Sequence, residues 1–190
     1  RDIFQQAGSV ERVIAECGMN RRTQRERLHA AYMRKEDRHM QTRFIADKLY
    51  HQILENVPIA CVDIAIVAEG AVLLVKRKDP PAKDQWWVPG GRVLKGEMMR
   101  ETALRKALEE VGMKCHVGPL IHTAETIFSD GPAGIAVHSI NSCFFLYPAG
   151  PGIKPQLDDH HDEYQWVDHI PDGLHPYVER CLVAAGLARR

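Results

Sequence analysis

From Gly90 to Met113 the chain reads GGRVLKGEMMRETALRKALEEVGM. Two glycines follow a short apolar run, Trp86-Trp87-Val88-Pro89. The segment then enters a helical pattern that carries Glu97, Glu101, Arg105, Glu109 and Glu110 and stops at Gly112. Glycine allows turns and close backbone approaches that other residues resist. On a helix, Glu109 and Glu110 fall on adjoining faces, and Arg105 lies one turn before Glu109. Leu104, Leu108 and Val111 fall on the opposite side and are expected to be buried. Clustered carboxylates are expensive to hold together without a cation. Mg²⁺ suits them, because it takes hard oxygen ligands and phosphate oxygens together. The plainer alternative is a solvated amphipathic helix with i,i+4 pairs, Glu101 to Arg105 and Lys106 to Glu110. The glycine loop and Glu97 favour a metal site over it.

The rest of the chain alternates between strand and helix signals. Residues 1–56 read as a helical extension, with Ile3, Ala7, Val10, Ile14 and Cys17 forming an apolar stripe. Phe44, Ile45, Leu49 and Ile53 fall along one face of its second half, and Pro58 ends it. A helix-turn-helix around Cys17 to Arg27 is the sharper reading, but the basic residues there are spread out and mixed with acids. A helical arm is preferred. Residues 57–190 read as one domain. Ile59 to Val67 and Ala71 to Lys76 are strands around a Glu69-Gly70 hairpin turn. Lys78 to Gln85 is loop, and Trp86 to Pro89 is a short strand. Lys114 to Ser129 and Ile135 to Tyr147 are two long strands. Pro148 to Pro155 is loop, Asp158 to Val167 is a polar loop entering a strand, and a last helix begins near Pro176. Strands interleaved with helices predict an α/β sandwich around a mixed sheet.

Composition narrows the function classes. The 190 residues hold 25 Lys and Arg against 25 Asp and Glu. A formal net charge of zero argues against a general nucleic-acid binder. No apolar run is long enough to span a membrane, and no signal-peptide pattern opens the chain. The five cysteines (17, 61, 115, 143 and 181) are scattered and include no Cys-x-x-Cys pair. That predicts neither structural zinc nor a disulfide framework, and places the chain in a reducing cytoplasm.

The spacing of Gly91, Glu97, Arg105, Ala107, Glu109, Glu110, Gly112 and Met113 resembles the Nudix box, G-x5-E-x7-R-E-U-x-E-E-x-G-U with U aliphatic. Lys106 stands where that family has glutamate. Within the family, three features resemble GDP-mannose mannosyl hydrolases: Val75-Lys76-Arg77 with the later Trp86-to-Arg92 run, the box lacking its middle glutamate, and the Asp159-to-Trp166 tract. The resemblance implies a Nudix α/β/α sandwich and hydrolysis of a nucleotide diphosphate sugar, with water attacking the anomeric carbon. Carried over by position, Arg77 and Arg92 hold the diphosphate and Arg105 supports the site. His161 is the general base. Glu110, with Glu109 and the Gly90 carbonyl, binds one Mg²⁺; Lys106 changes the local charge by two units and argues against two or three ions. His160 stands where relatives commonly have a ligating Gln, and its nitrogen makes Mn²⁺ the softer alternative. Phe128 stands nearest to a family tyrosine. The resemblance also implies a homodimer acting on a small-molecule nucleotide sugar.

Two other functions stay open. One is a conventional pyrophosphohydrolase that cleaves ADP-ribose, another nucleotide sugar or an NTP. The other is a Nudix module that senses a nucleotide without hydrolysing it, a reading that Lys106 motivates. One of Trp86 and Trp87, on opposite faces of a strand, is expected in the core; the other is free to stack on a base or sugar.

Overall fold

Two antiparallel strands and the turn between them set the layers. β1 (Ile59–Ala68) and β2 (Ala71–Arg77) are rich in Val, Ile and Leu. Glu69 and Gly70 both have positive φ, 50° and 80°, as a tight two-residue hairpin requires. The computed structural model describes residues 45–150 and 154–190. The stripe at 3–17 and the segment weighed as a helix-turn-helix lie outside them. Residues Ile45–Arg190 form one compact unit.

The further elements are α1 (Asp47–Asn56), β3 (Trp86–Trp87), β4 (Gly90–Arg92), α2 (Met99–Val111), β5 (Cys115–Phe128), β6 (Val137–Pro148), β7 (His161–Val167) and α3 (Pro176–Ala184). The sheet runs β3-β2-β1-β6-β5, with β4 pairing β1 and β7 pairing β2. β1 and β6 are parallel, whereas β5 and β6 are antiparallel, so the sheet is mixed as expected. Side chains on a strand alternate between its faces. Val72 and Leu74 therefore pack with Tyr177, Cys181 and Leu182 of α3. Leu73 and Val75 pack with Ala103, Ala107 and Val111 of α2. One helix covers each face of the sheet, which is the expected α/β/α sandwich.

α1 closes a third, smaller cluster, in which Leu54 joins Ile59 and Val137. Leu49, expected on the apolar face of that helix, is 53% exposed. On α2 the expected burial also shifts. Val111 is buried, but Leu104 is half-buried and Leu108 is 47% exposed. Thr102, Ala103 and Ala107 carry the contact instead. Small residues let the helix sit close to the sheet, and the leucines then overhang the contact. Among the described residues, no helix is long and apolar enough to cross a membrane, and Cys61, Cys115, Cys143 and Cys181 are all free.

α2 ends as its sequence requires. Gly112 is left-handed, with φ 63° and ψ 17°, and its amide caps the last turn. A Cβ there would lie 2.9 Å from the Cβ of Gln156. Gly112→Ala is therefore expected to destabilise the fold by about 1–2 kcal/mol, read from urea denaturation. An unchanged midpoint would remove the left-handed cap from this account.

Candidate active site

The site is built where β4 passes the end of α2. Glu110 is buried, at 6% exposure. Its Oε2 accepts the Gly90 amide at 2.9 Å, and its Oε1 pairs with the Lys106 ammonium at 2.5 Å. The two glycines serve space rather than conformation. Neither has positive φ, and both lie within β4, paired with Asp63 and Val62 of β1. The expected turn at this point is thus a strand; the left-handed glycine of the loop is Gly96. A Cβ on Gly90 would strike the Asp63 carboxylate and the Val62 carbonyl, and one on Gly91 would lie 2.8 Å from Lys106 Cε.

A second network fastens the loop to the helix. Arg105 donates to both oxygens of Glu97, from Nε at 2.8 Å and Nη2 at 2.9 Å. It also donates to Glu109 at 2.9 Å and to the Arg92 carbonyl at 3.0 Å. Thr102 and the Leu94 amide complete the shell of Glu97. Burial works to raise the Glu97 carboxyl, but the hydrogen bonds from Arg105, Thr102 and Leu94 outweigh it and hold it below the ordinary range. This bidentate geometry is the strong form of an ion pair.

Six of the residues singled out from the sequence line one cavity of about 450 Å³: Gly90, Arg77, Arg92, Glu110, His160 and His161. Arg105 and Glu109 are not among its lining residues. They form the clamp behind it. Arg77 is held by the Pro81 carbonyl at 2.8 Å, and Arg92 lies over the Tyr50 ring at 4.6 Å. His161 is buried, and its Nδ1 meets Asp158 at 2.7 Å. With Nδ1 donating to the Asp158 carboxylate, Nε2 is the ring nitrogen left without that partner. That Nε2 stands 3.9 Å from Glu110. His160 is exposed and bonds to Asp79 at 2.7 Å, an interaction that raises its pKa. The adjacent histidines thus face different surroundings.

The cavity also takes in residues that the sequence did not mark. Asp63 is 5% exposed and accepts the Tyr177 hydroxyl at 2.6 Å. Burial, with a smaller contribution from Glu110, pushes its carboxyl up to about 7 against the opposing Tyr177 and Arg77. A carboxylate within an apolar strand was the available signal. Thr126, Ser139 and Asn141 form a buried hydrogen-bonded trio along the same wall. Their division between β5 and β6 gave no such signal. Of the tryptophans, Trp87 is both core and cavity wall, stacked on Tyr177 and edge-on to Phe128. Cys61 also lines the cavity, but burial pushes its thiol up to about 12, which excludes a thiolate nucleophile.

As a metal site the donor set is incomplete. Among the described residues, no group of three or more His, Cys, Asp or Glu side chains is placed to hold an ion. Both oxygens of Glu110 are engaged, and Glu109 faces Arg105 and Lys106. In this arrangement Glu110 is committed to the Gly90 amide and to Lys106. A divalent ion bound here would complete its shell with phosphate oxygens of a ligand.

Residues 58–170 match the family described as the NUDIX domain. The chain is 34% identical over 142 residues to the low-salt glycan biosynthesis protein Agl8 of Haloferax volcanii, covering 74% of this chain and 90% of that one. It is 32% identical over 114 residues to an ADP-ribose pyrophosphatase of Methanocaldococcus jannaschii, covering 60% of this chain and 65% of that one. Among solved structures, a MutT NUDIX hydrolase from Burkholderia pseudomallei superimposes with a TM-score of 0.58 at 25% identity, covering 68% of this chain and 98% of the other.

Asp63 makes stability depend on pH. The unfolded chain ionises this carboxyl above about pH 4, whereas the folded chain keeps it protonated up to about pH 7. The folded state binds more protons in that window, so stability falls as pH rises through it. Asp63→Asn cannot ionise. The variant is expected to gain on the unmodified chain by on the order of 2–4 kcal/mol between those limits, read by denaturation at a series of pH values. Parallel curves would mean that Asp63 is ionised throughout.

Proposed function

The chain belongs to the Nudix family, and we propose that within it this hydrolase acts on a nucleotide diphosphate sugar of the GDP-mannose type, with water attacking the anomeric carbon. The observation that carries this reading is the His161–Asp158 pair, set against Glu110 in a cavity that Arg77 and Arg92 also line. His161 Nε2 takes a proton from water as the water oxygen bonds to the anomeric carbon. The bond from that carbon to the diphosphate oxygen breaks, and the nucleoside diphosphate leaves with the electron pair. Arg77 and Arg92 offset the charge on the leaving group. Asp158 keeps the imidazole oriented and stabilises its protonated form. Arg105 is a positioning residue, acting through the Glu97 clamp and the Arg92 carbonyl. The kinship with a protein named for glycan biosynthesis supports a sugar substrate.

Nudix hydrolases generally use divalent ions. Here Mg²⁺, or Mn²⁺, would arrive with the diphosphate and be held by Glu110 and the Gly90 carbonyl, with Glu109 and His160 as further donors. Its chemistry would be charge neutralisation on the diphosphate. The working assembly we propose is a cytoplasmic homodimer, with 57–190 as the catalytic domain and 1–56 as its helical extension.

A conventional pyrophosphohydrolase is the second reading, favoured by the presence of both Glu109 and Glu110 and by the kinship with a protein named ADP-ribose pyrophosphatase. Hydrolysis of GDP-mannose in ¹⁸O-water separates the two. Label is expected in the hexose; label in a phosphate would transfer the assignment to the second reading. His161→Gln is expected to lower kcat by about 10²–10⁴-fold and to flatten its pH dependence near neutrality. A variant that keeps the unmodified pH profile would remove His161 as the base.

A further inference from the structure

We propose that Lys106 is a substrate-binding residue, a built-in cation that grips the diphosphate before any metal ion arrives. This inference rests on the reading of the cavity as a nucleoside diphosphate site. Three observations carry it. Lys106 reaches the cavity wall although it stands on α2, where its neighbours Arg105 and Glu109 do not. Its ammonium is fixed by Glu110 at 2.5 Å and Glu109 at 3.4 Å. An ammonium carries three donors, and these partners take two, so one is left for a ligand. Finally, the side chain passes directly over Gly91. Its Cε lies 2.8 Å from where a Cβ on that residue would sit, and Gly91 has no positive φ to explain the glycine otherwise. The lysine stem thus lies against the Gly91 backbone, on its way to the Glu110 carboxylate.

The charge arrangement explains why such a cation belongs here. Glu110 is buried, and a buried carboxylate without a partner is costly. A divalent ion would supply one partner. Lys106 supplies another, bonded covalently to the chain and present at every metal concentration. Arg77 and Arg92 line the same cavity, so three cationic side chains meet there beside the carboxyl groups of Asp63, Asp79 and Glu110. The consequence is a separation of roles: diphosphate binding proceeds without metal, and a metal ion is needed only for turnover.

Calorimetric titration of the intact chain with GDP, ADP and UDP, in EDTA and again in Mg²⁺, tests this. The unmodified chain is expected to bind at least one of the three in EDTA. Lys106→Met, which keeps the length and removes the charge, is expected to weaken that binding by about tenfold or more, and Lys106→Arg to restore most of it. Should Lys106→Met fail to fold, protection in the unmodified chain replaces it: the bound nucleotide, in EDTA, should shield Lys106 from reductive methylation mapped by peptide mass. Equal affinity of Lys106→Met and the unmodified chain in EDTA would overturn the proposal and leave the nucleotide site standing. So would full methylation of Lys106 under bound nucleotide, or binding that appears only with Mg²⁺. Failure of all three nucleotides in both media would instead overturn the nucleotide site, and this proposal with it.

Discussion

The arrangement depends on a carboxylate taken out of water. Glu110 sits at the end of α2, where it is bonded to the Gly90 amide and paired with Lys106. Removing one partner of a buried pair costs about 3–5 kcal/mol, because the other charge is then stranded. That penalty holds α2, β4 and, through β4, the first half of β1 in one register. The cavity opens on this junction. Its cationic wall, its histidine and its buried aspartate come from four strands and a helix, and they meet only because the junction is fixed.

The acidic helix divides its charges between two tasks. Glu97 and Glu109 are spent on Arg105, which locks the loop before α2 to the helix and to the Arg92 carbonyl. Glu110 alone faces the cavity. A count of carboxylates in the segment therefore overstates the ligands available to a cation, and Lys106 lowers that number further.

Much of the fold was legible in the residues. Ala71 to Lys76 read as a strand and is one, and the Glu69-Gly70 pair read as a hairpin turn, which its two positive φ values bear out. Gly112 marked the end of α2. Other readings failed for identifiable reasons. Leu108 lay on the expected apolar side of the helix, yet the close approach of Ala103 and Ala107 leaves it exposed. Gly90 and Gly91 looked like a turn, but they lie in a strand, and Gly90 answers a steric demand from Asp63 and the Val62 carbonyl, which lie far away in sequence. Helical period predicts which side faces inward, not how near the neighbouring sheet comes.

The sequence by itself determined the family, the helix with its spaced charges, and the identities of Arg77, Arg92, Glu110 and His161 as residues to be assembled. Those are properties of local period and motif spacing, which a linear chain records directly. Only the tertiary structure decided that Arg105 and Glu109 stand behind the cavity and that Lys106 enters it. It alone placed Asp63, Thr126, Ser139 and Asn141 along the wall. These placements follow from the register of strands paired across long separations in the chain, and from burial that turns an ordinary aspartate into a carboxyl titrating near neutrality.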